Sequence, residues 1–207
     1  MKLRSFTLVE LIIVIALISI LATAIVTLLN PTSLLQRSRD SKRLSDIKML
    51  ERLILLYDTE LSQSSFPYFM GSSSVVYISL KDTDPNCNNI SSTLPSLPPG
   101  WTYHCSSNPA LTNGDGWLPL NFSQFPTFNL AKLPLDPINK PPYFYAYIPG
   151  GSFVVYSYLE NLNPNSKEFR QAKEDGDNFP HIFSAGNDKN LLNQSQGLVG
   201  YWSFDDC

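Results

Sequence analysis

From Phe6 to Leu29 the chain is apolar almost without interruption, and the one residue out of place is Glu10. About 24 residues at 1.5 Å each make a helix of roughly 36 Å, enough to cross the hydrocarbon of a bilayer with some tilt. Asn30-Pro31 then breaks the run, because the residue before a proline avoids the α region, although Pro31 suits the first position of a renewed helix. Beyond it Leu44, Ile47, Leu50, Ile54, Tyr57 and Leu61 recur at threes and fours, the spacing of an amphipathic helix with one face for a sheet. The two helical stretches make a spine that bends near Asn30.

After a serine-rich break at Ser62 to Ser65 the pattern turns to strands. Val75 to Leu80 predicts one, Trp101 to Cys105 a short second, and Pro95, Pro98, Pro99 and Gly100 mark turns between them. Trp117 to Phe122 follows an Asn-Gly-Asp-Gly turn, and its prolines predict an edge or irregular segment. The clearest β pattern is Tyr143 to Ile148, a Pro149-Gly150-Gly151 connection and Ser152 to Glu160, a hairpin whose facing aromatics pair across strands as packing. From Asn161 the chain is polar, with a short helix expected near Ser166 to Lys173.

Glu10 changes how the first stretch reads, since an ionisable residue at membrane depth is by default a functional one. Lys2 and Arg4, the small Ser5, then Phe6-Thr7-Leu8-Val9-Glu10 and the apolar run resemble the N-terminus of type IV prepilins and type II secretion pseudopilins. The resemblance implies a membrane peptidase that cuts between Ser5 and Phe6, N-methylation of the new Phe6 amine, and a helix kept in the mature protein. Ser5 departs from the family's usual Gly. The new ammonium would be paired with Glu10 of a neighbouring subunit, which would set the register of a filament. The competing readings are an uncleaved signal anchor and a secretory signal peptide, and Glu10 and the length of the run fit the latter poorly.

The expected fold class is therefore α+β: a long N-terminal helical spine, its first half transmembrane, packed on a small antiparallel sheet in the pilin-like manner. The expected divisions are a leader at 1–5, an assembly helix at 6–29, its amphipathic continuation at 30–63, a globular β domain at 64–185 and a tail at 186–207. Leu133-Pro134-Leu135-Asp136-Pro137, leading into the Tyr-rich hairpin and Leu159-Glu160, also resembles the major-pseudopilin pattern. Implied partners are the prepilin peptidase, inner-membrane assembly machinery, membrane lipid, other pilins and further copies of the chain. The N-terminus is expected in the cytoplasm and the globular domain outside it. Arg37, Arg39, Lys42 and Arg43 put more positive charge after the helix than before it, so the positive-inside rule alone would reverse that orientation; the resemblance overrides it. This basic run reads as a solvated face, or as a contact with lipid phosphates or a neighbour's acids.

With 207 residues and a net charge of −3, the chain has room for one modest globular domain and lacks a nucleic-acid footprint of the strongly basic kind. Of three cysteines, Cys87 and Cys105 bracket a polar, proline-containing loop and are expected to form a disulfide outside the cytoplasm, with Cys207 left over. Zinc is the competing reading, but there is no Cys-x-x-Cys, and His104 and His181 are far apart. Asp175, Asp177 and Asp188 are weak calcium candidates, suggested by pseudopilins that bind calcium in a C-terminal loop; their spacing matches no EF-hand and suits ordinary turns. Gly197 to Cys207 resembles the opening strand of lectin-like domains, which offers a membrane-anchored or pilus-associated adhesin as the alternative function. With no phosphate loop, metalloprotease motif or nucleophile elbow, the expectation is a structural protein and not an enzyme.

Overall fold

The computed structural model describes residues 7–177 and 179–196, with side chains at 24–29 and 196 excepted. Two helices open the chain, α1 (Leu8–Leu29) and α2 (Pro31–Gln63). Asn30 separates them in the left-handed region at φ 40°, and Pro31 restarts the helix at its first position, where a missing N–H costs nothing. Every apolar residue of the predicted α2 stripe is buried: Leu44, Ile47, Leu50, Ile54, Tyr57 and Leu61.

A five-stranded sheet packs on α2. Its strands are β1 (Val75–Lys81), β2 (Thr102–Ser106), β3 (Tyr145–Pro149), β4 (Phe153–Tyr158) and β5 (Ile182–Gly186), in spatial order β2-β1-β3-β4-β5. The predicted hairpin is β3–β4, with Tyr147 opposite Val155 and Pro149 opposite Phe153. The sheet is mixed, not antiparallel as expected, because β1 and β2 run parallel, Val75 beside Thr102. A parallel neighbour needs a long crossover, and residues 82–101 supply it. Cys87 in that crossover is bonded to Cys105 in β2, and the Cys105 N–H donates to the Pro85 carbonyl at 2.9 Å, so the loop is laid against the strand it leads to.

β5 and the last helix, α4 (Asn190–Gln196), were not foreseen, whereas the short helix near Ser166 is α3 (Lys167–Lys173), capped by the Ser166 hydroxyl. Gly186 ends β5 at φ 146°, where a Cβ would lie 2.3 Å from the Phe153 carbonyl oxygen, so only glycine lets the two strands meet there. The sheet is buried on both faces. One face meets α2 through Tyr145, Tyr147, Val155, Phe183 and the irregular Trp117–Phe125 segment. The other, with Val76, Ile78, Ala146 and Val154, is covered by Leu191 and Leu192 of α4 and by Ile90, Leu94 and Leu97 of the disulfide loop. Residues beyond 186 thus belong to the packed body as far as Ser195, while the lectin-like stretch and Cys207 lie outside the described residues.

The start of α2 is fastened to the sheet by charge. Arg43, in the basic run that reads as a solvated face, is fully buried. It falls on the stripe with Leu44, Ile47 and Leu50, a position that helical spacing marks as inward whatever its charge. Its Nε and Nη2 donate to Asp136 at 2.5 and 3.0 Å, and its Nη1 donates to Asp40 at 2.7 Å and Glu160 at 2.5 Å. The guanidinium also lies 4.9 Å from the Tyr143 ring centroid. Burial works against this charge, but the bonds and attraction from Asp136, Glu160 and Asp40 outweigh it and raise the Arg43 pKa. Asp136 in turn accepts from the Ile138 and Asn139 N–H groups, and Asp40 from those of Glu160 and Asn161, so each acid also pins a stretch of backbone.

Two outcomes follow for stability. Replacing Arg43 by Met strands Asp40, Asp136 and Glu160 together and is expected to cost about 3–5 kcal/mol in urea unfolding, with Lys rescuing only part because it lacks the planar fork. Replacing Cys87 and Cys105 by Ala, which opens a loop of sequence separation 18, is expected to cost about 3 kcal/mol in the same assay.

Candidate assembly site at the helix N-terminus and the C-terminal acidic loop

The first turn of α1 is organised by Thr7 and Glu10. The Glu10 N–H donates to the Thr7 hydroxyl at 3.3 Å, while the Thr7 N–H and hydroxyl donate to Glu10 Oε2 at 2.9 and 2.8 Å. This reciprocal capping box satisfies donors that a helix start leaves free, and the negative charge of Glu10 lies at the positive end of the helix dipole. Ser5 and Phe6, the expected cleavage and methylation residues, lie outside the described residues.

Every described side chain of α1 is exposed, from Leu8 to Thr23. The hydroxyls within this apolar surface are turned back on the helix: Ser19 donates to the Ile15 carbonyl at 2.7 Å and Thr23 to the Ser19 carbonyl at 2.8 Å. Among the described residues no helix is long and apolar enough to cross a membrane. The side chains described in α1 cover about 24 Å, against a hydrocarbon layer of ~30 Å.

Of the three calcium candidates, Asp175 and Asp177 are neighbours, the Asp177 N–H donating to Asp175 Oδ1 at 3.0 Å, and Asp188 is engaged elsewhere. Asp175 accepts from the Ser184 N–H at 2.7 Å and faces the Lys189 ammonium at 3.4 Å, and that ammonium also donates to the Asp175 and Ser184 carbonyls. Asp188 accepts from the Ser152 hydroxyl at 3.1 Å and from the Asn190 N–H at the start of α4. Asp177 accepts from the Phe179 N–H, but its Oδ2 is buried with no hydrogen-bond partner. Among the described residues no group of three or more His, Cys, Asp or Glu side chains could hold a metal ion, so these carboxylates are not assembled as one ligand set. Lys189 supplies the positive charge of this loop. The two histidines are packing residues, His104 against Tyr77 and His181 stacked on Tyr158, and burial lowers the pKa of both.

Burial, helped by the like charge of Asp175, pushes the Asp177 carboxyl up to about 6, against the Ser184 side chain, the Phe179 N–H and the Lys189 charge, which favour its charged form. A group whose folded pKa lies above its unfolded value contributes stability that is complete below the unfolded pKa and lost as pH rises through the folded one. The window here runs from about 4 to somewhat above 6. Asp177→Asn, which copies the neutral acid, should melt with the parent near pH 4 and above it at pH 7.5. Parallel melting curves across that range would exclude ionisation of Asp177 as a cost to the fold.

The comparisons with known proteins fall on the N-terminal segment. Residues 1–26 match the family described as the prokaryotic N-terminal methylation motif. No curated protein and no solved structure matches the chain. The matched segment holds Ser5, Phe6, the Thr7–Glu10 capping box and most of α1, and it ends just before the break at Asn30. The chain thus carries the prepilin-type N-terminal methylation motif over its first 26 residues.

Proposed function

We propose that this chain is a structural subunit of a type IV pilus or a type II secretion pseudopilus, cut between Ser5 and Phe6 by a prepilin peptidase and polymerised through α1. The observation that carries the reading is the methylation motif running without a break into an apolar, outward-facing helix whose first turn presents Glu10. As a backbone helix α1 has 22 residues, about 33 Å, which suits a bilayer anchor before assembly. Its back-bonded hydroxyls add little cost in lipid, and the left-handed conformation of Asn30 is compatible with a joint there between anchor and domain. The packed body beyond Pro31, with its disulfide, suits an oxidising space outside the cytoplasm.

In this reading Glu10 has two successive tasks. It caps its own helix in the monomer, and in the filament it neutralises the N-terminal amine of an adjacent subunit. Removing the acid lightens insertion, because a charge no longer enters the membrane, yet it leaves that amine unpaired at each subunit contact.

The test joins mass spectrometry to filament recovery. The mature protein should begin at Phe6 with a methylated amine, and Glu10→Val should remain cleaved and membrane-bound while the ratio of sheared filament to membrane-bound subunit falls severely. Assembled protein that still begins at Met1 or Lys2, or undiminished filament from the cleaved variant, would overturn the reading.

A further inference from the structure

One end of the domain gathers around the start of α2, and there the two kinds of charge are sorted by depth. Three pieces of chain meet at this base: residues 34–46 of α2, the loop 136–143, whose Tyr143 ring lies 4.9 Å from the Arg43 guanidinium, and residues 159–170, where Glu168 faces Arg37 at 3.6 Å. Their acids are turned inward. Asp40, Asp46, Asp136 and Glu168 are buried, and the Glu160 side chain is 5% exposed. Their cations, Arg43 apart, are turned outward: Arg37, Lys42, Lys140, Lys167 and Arg170 are exposed and Arg39 half-buried. Among the described residues the side chains of Lys140, Lys167 and Arg170 make no ion pair or hydrogen bond.

The rest of the chain has the opposite balance. The base holds seven cations to five acids, whereas outside it and the leader the chain has thirteen acids to six cations. Of the acids nearest the base, Glu174 adjoins Lys173 at the far end of α3, and Asp84 and Asp115 lie by β2, away from the strands on which α2 packs. The positive end of this charge dipole is the end next to α1. Arg37 and Arg39 come about 10 and 14 Å along the helix from Asn30, so their long side chains bring charge to a headgroup layer ~6 Å deep, and α3 begins at the level of Arg37. An apolar skin accompanies them, since Leu34, Leu35 and Leu162 are 43% to 59% exposed, Leu162 next to the Asn161 N–H that donates to Asp40. Cations set among exposed leucines suit the boundary between headgroups and acyl chains.

We infer that this base rests on anionic phospholipid headgroups of the leaflet from which α1 emerges, so that the basic end of the domain, and not its acidic remainder, faces the bilayer before assembly. The inference rests on the reading of α1 as a bilayer anchor. The anchor itself carries these cations to the headgroups in every unassembled subunit, which no contact with a neighbour's acids can do. A negative surface attracts the base and repels the acidic remainder, so the field that holds the domain also orients it. The excess of positive charge after α1, which runs against the positive-inside rule, is then a ligand for lipid.

Fluorescence of the full chain in vesicles tests the contact. In a Cys207→Ser background, Leu162→Cys carries a fluorophore at the base and Ser73→Cys carries it at the opposite end of the sheet, just before β1. Each chain is reconstituted into vesicles of phosphatidylcholine alone or with a quarter of phosphatidylglycerol. Acrylamide quenching at position 162 should be about twofold weaker in the anionic vesicles, and the difference should vanish at about 1 M salt, where the Debye length is ~3 Å; quenching at position 73 should not change. Each basic residue near an anionic surface strengthens attachment about fivefold, so Lys167→Glu/Arg170→Glu should abolish the difference, and Lys167→Gln/Arg170→Gln, which adds no negative charge, should reduce it. Equal quenching in the two lipids, or a difference that survives salt or the charge reversal, would overturn the contact and leave the anchor reading standing. A reversed chain that keeps the lipid difference but yields less filament would likewise overturn it, assigning the cations to a neighbour's acids. A parent chain that floats with neither vesicle would overturn both.

Discussion

The placement of the whole domain on its spine depends on one buried cation. Arg43 fills a site at the base of the sheet where three carboxylates from different parts of the chain converge: Asp40 from α2 itself, Asp136 from the loop before β3, and Glu160 from the end of β4. Arg39 closes the cluster from outside, bonding both oxygens of Glu160 at 2.7 and 2.6 Å. A hydrophobic stripe fixes which face of a helix turns inward, but it leaves the helix free to slide along its axis, because apolar contact is non-directional. The fork of Arg43 removes that freedom. Tyr145 repeats the device one turn on, its hydroxyl donating to Asp46 at 2.8 Å, and burial together with that acid keeps it protonated far above the usual phenol range.

A consequence is visible in the strands. β3 is buried from Tyr145 to Pro149 and β4 from Phe153 to Ser157, with no alternation of inside and outside residues. Such continuous burial is the habit of sheets covered on both sides. Here the second cover is made of small parts: the disulfide loop, whose turns are held by Asp82 accepting from Asp84 and Asn89, and the two leucines of α4. Neither piece could hold a sheet face alone. Together, with Cys87 tied to Cys105, they make a second hydrophobic cluster distinct from the one under α2.

Much of this was legible in the residues. The α2 stripe was readable from its spacing, the β3–β4 hairpin from its aromatic runs and glycine connection, the break at Asn30-Pro31 from proline chemistry, and the pairing of two cysteines from the loop they bracket. What escaped did so for physical reasons. The parallel pairing of β1 and β2 depends on where a long crossover lays its second strand, and nothing local records that. β5 is only five residues long and begins in a polar stretch, and α4 owes its place to two leucines that find the uncovered face. The charge of Arg43 and its basic neighbours suggest an exposed side chain, although its helical spacing from Ile47 and Leu50 turns it toward the core. Of the candidate site, Glu10 was legible as an acid in an apolar run, but its bond to Thr7 needed the geometry of the first turn. The three aspartates of the C-terminal loop suggest a metal by their chemistry, and the ion pair of Lys189 with Asp175 depends on a fold that brings the two together.

The disulfide also bears on how the chain would answer to force. A subunit gripped by α1 at one end and by a load on its surface at the other is pulled along its own contour. The cross-link takes the crossover out of that contour: with Cys87 and Cys105 separated by 18 positions, roughly 60 Å of extended chain cannot be paid out even if the loop is stripped from the sheet. The two cysteine Cα atoms stay 5.3 Å apart, and tension passes from β1 through the short stretch 82–86 and the bond into β2. The loop that covers one face of the sheet is thereby also its strain limiter.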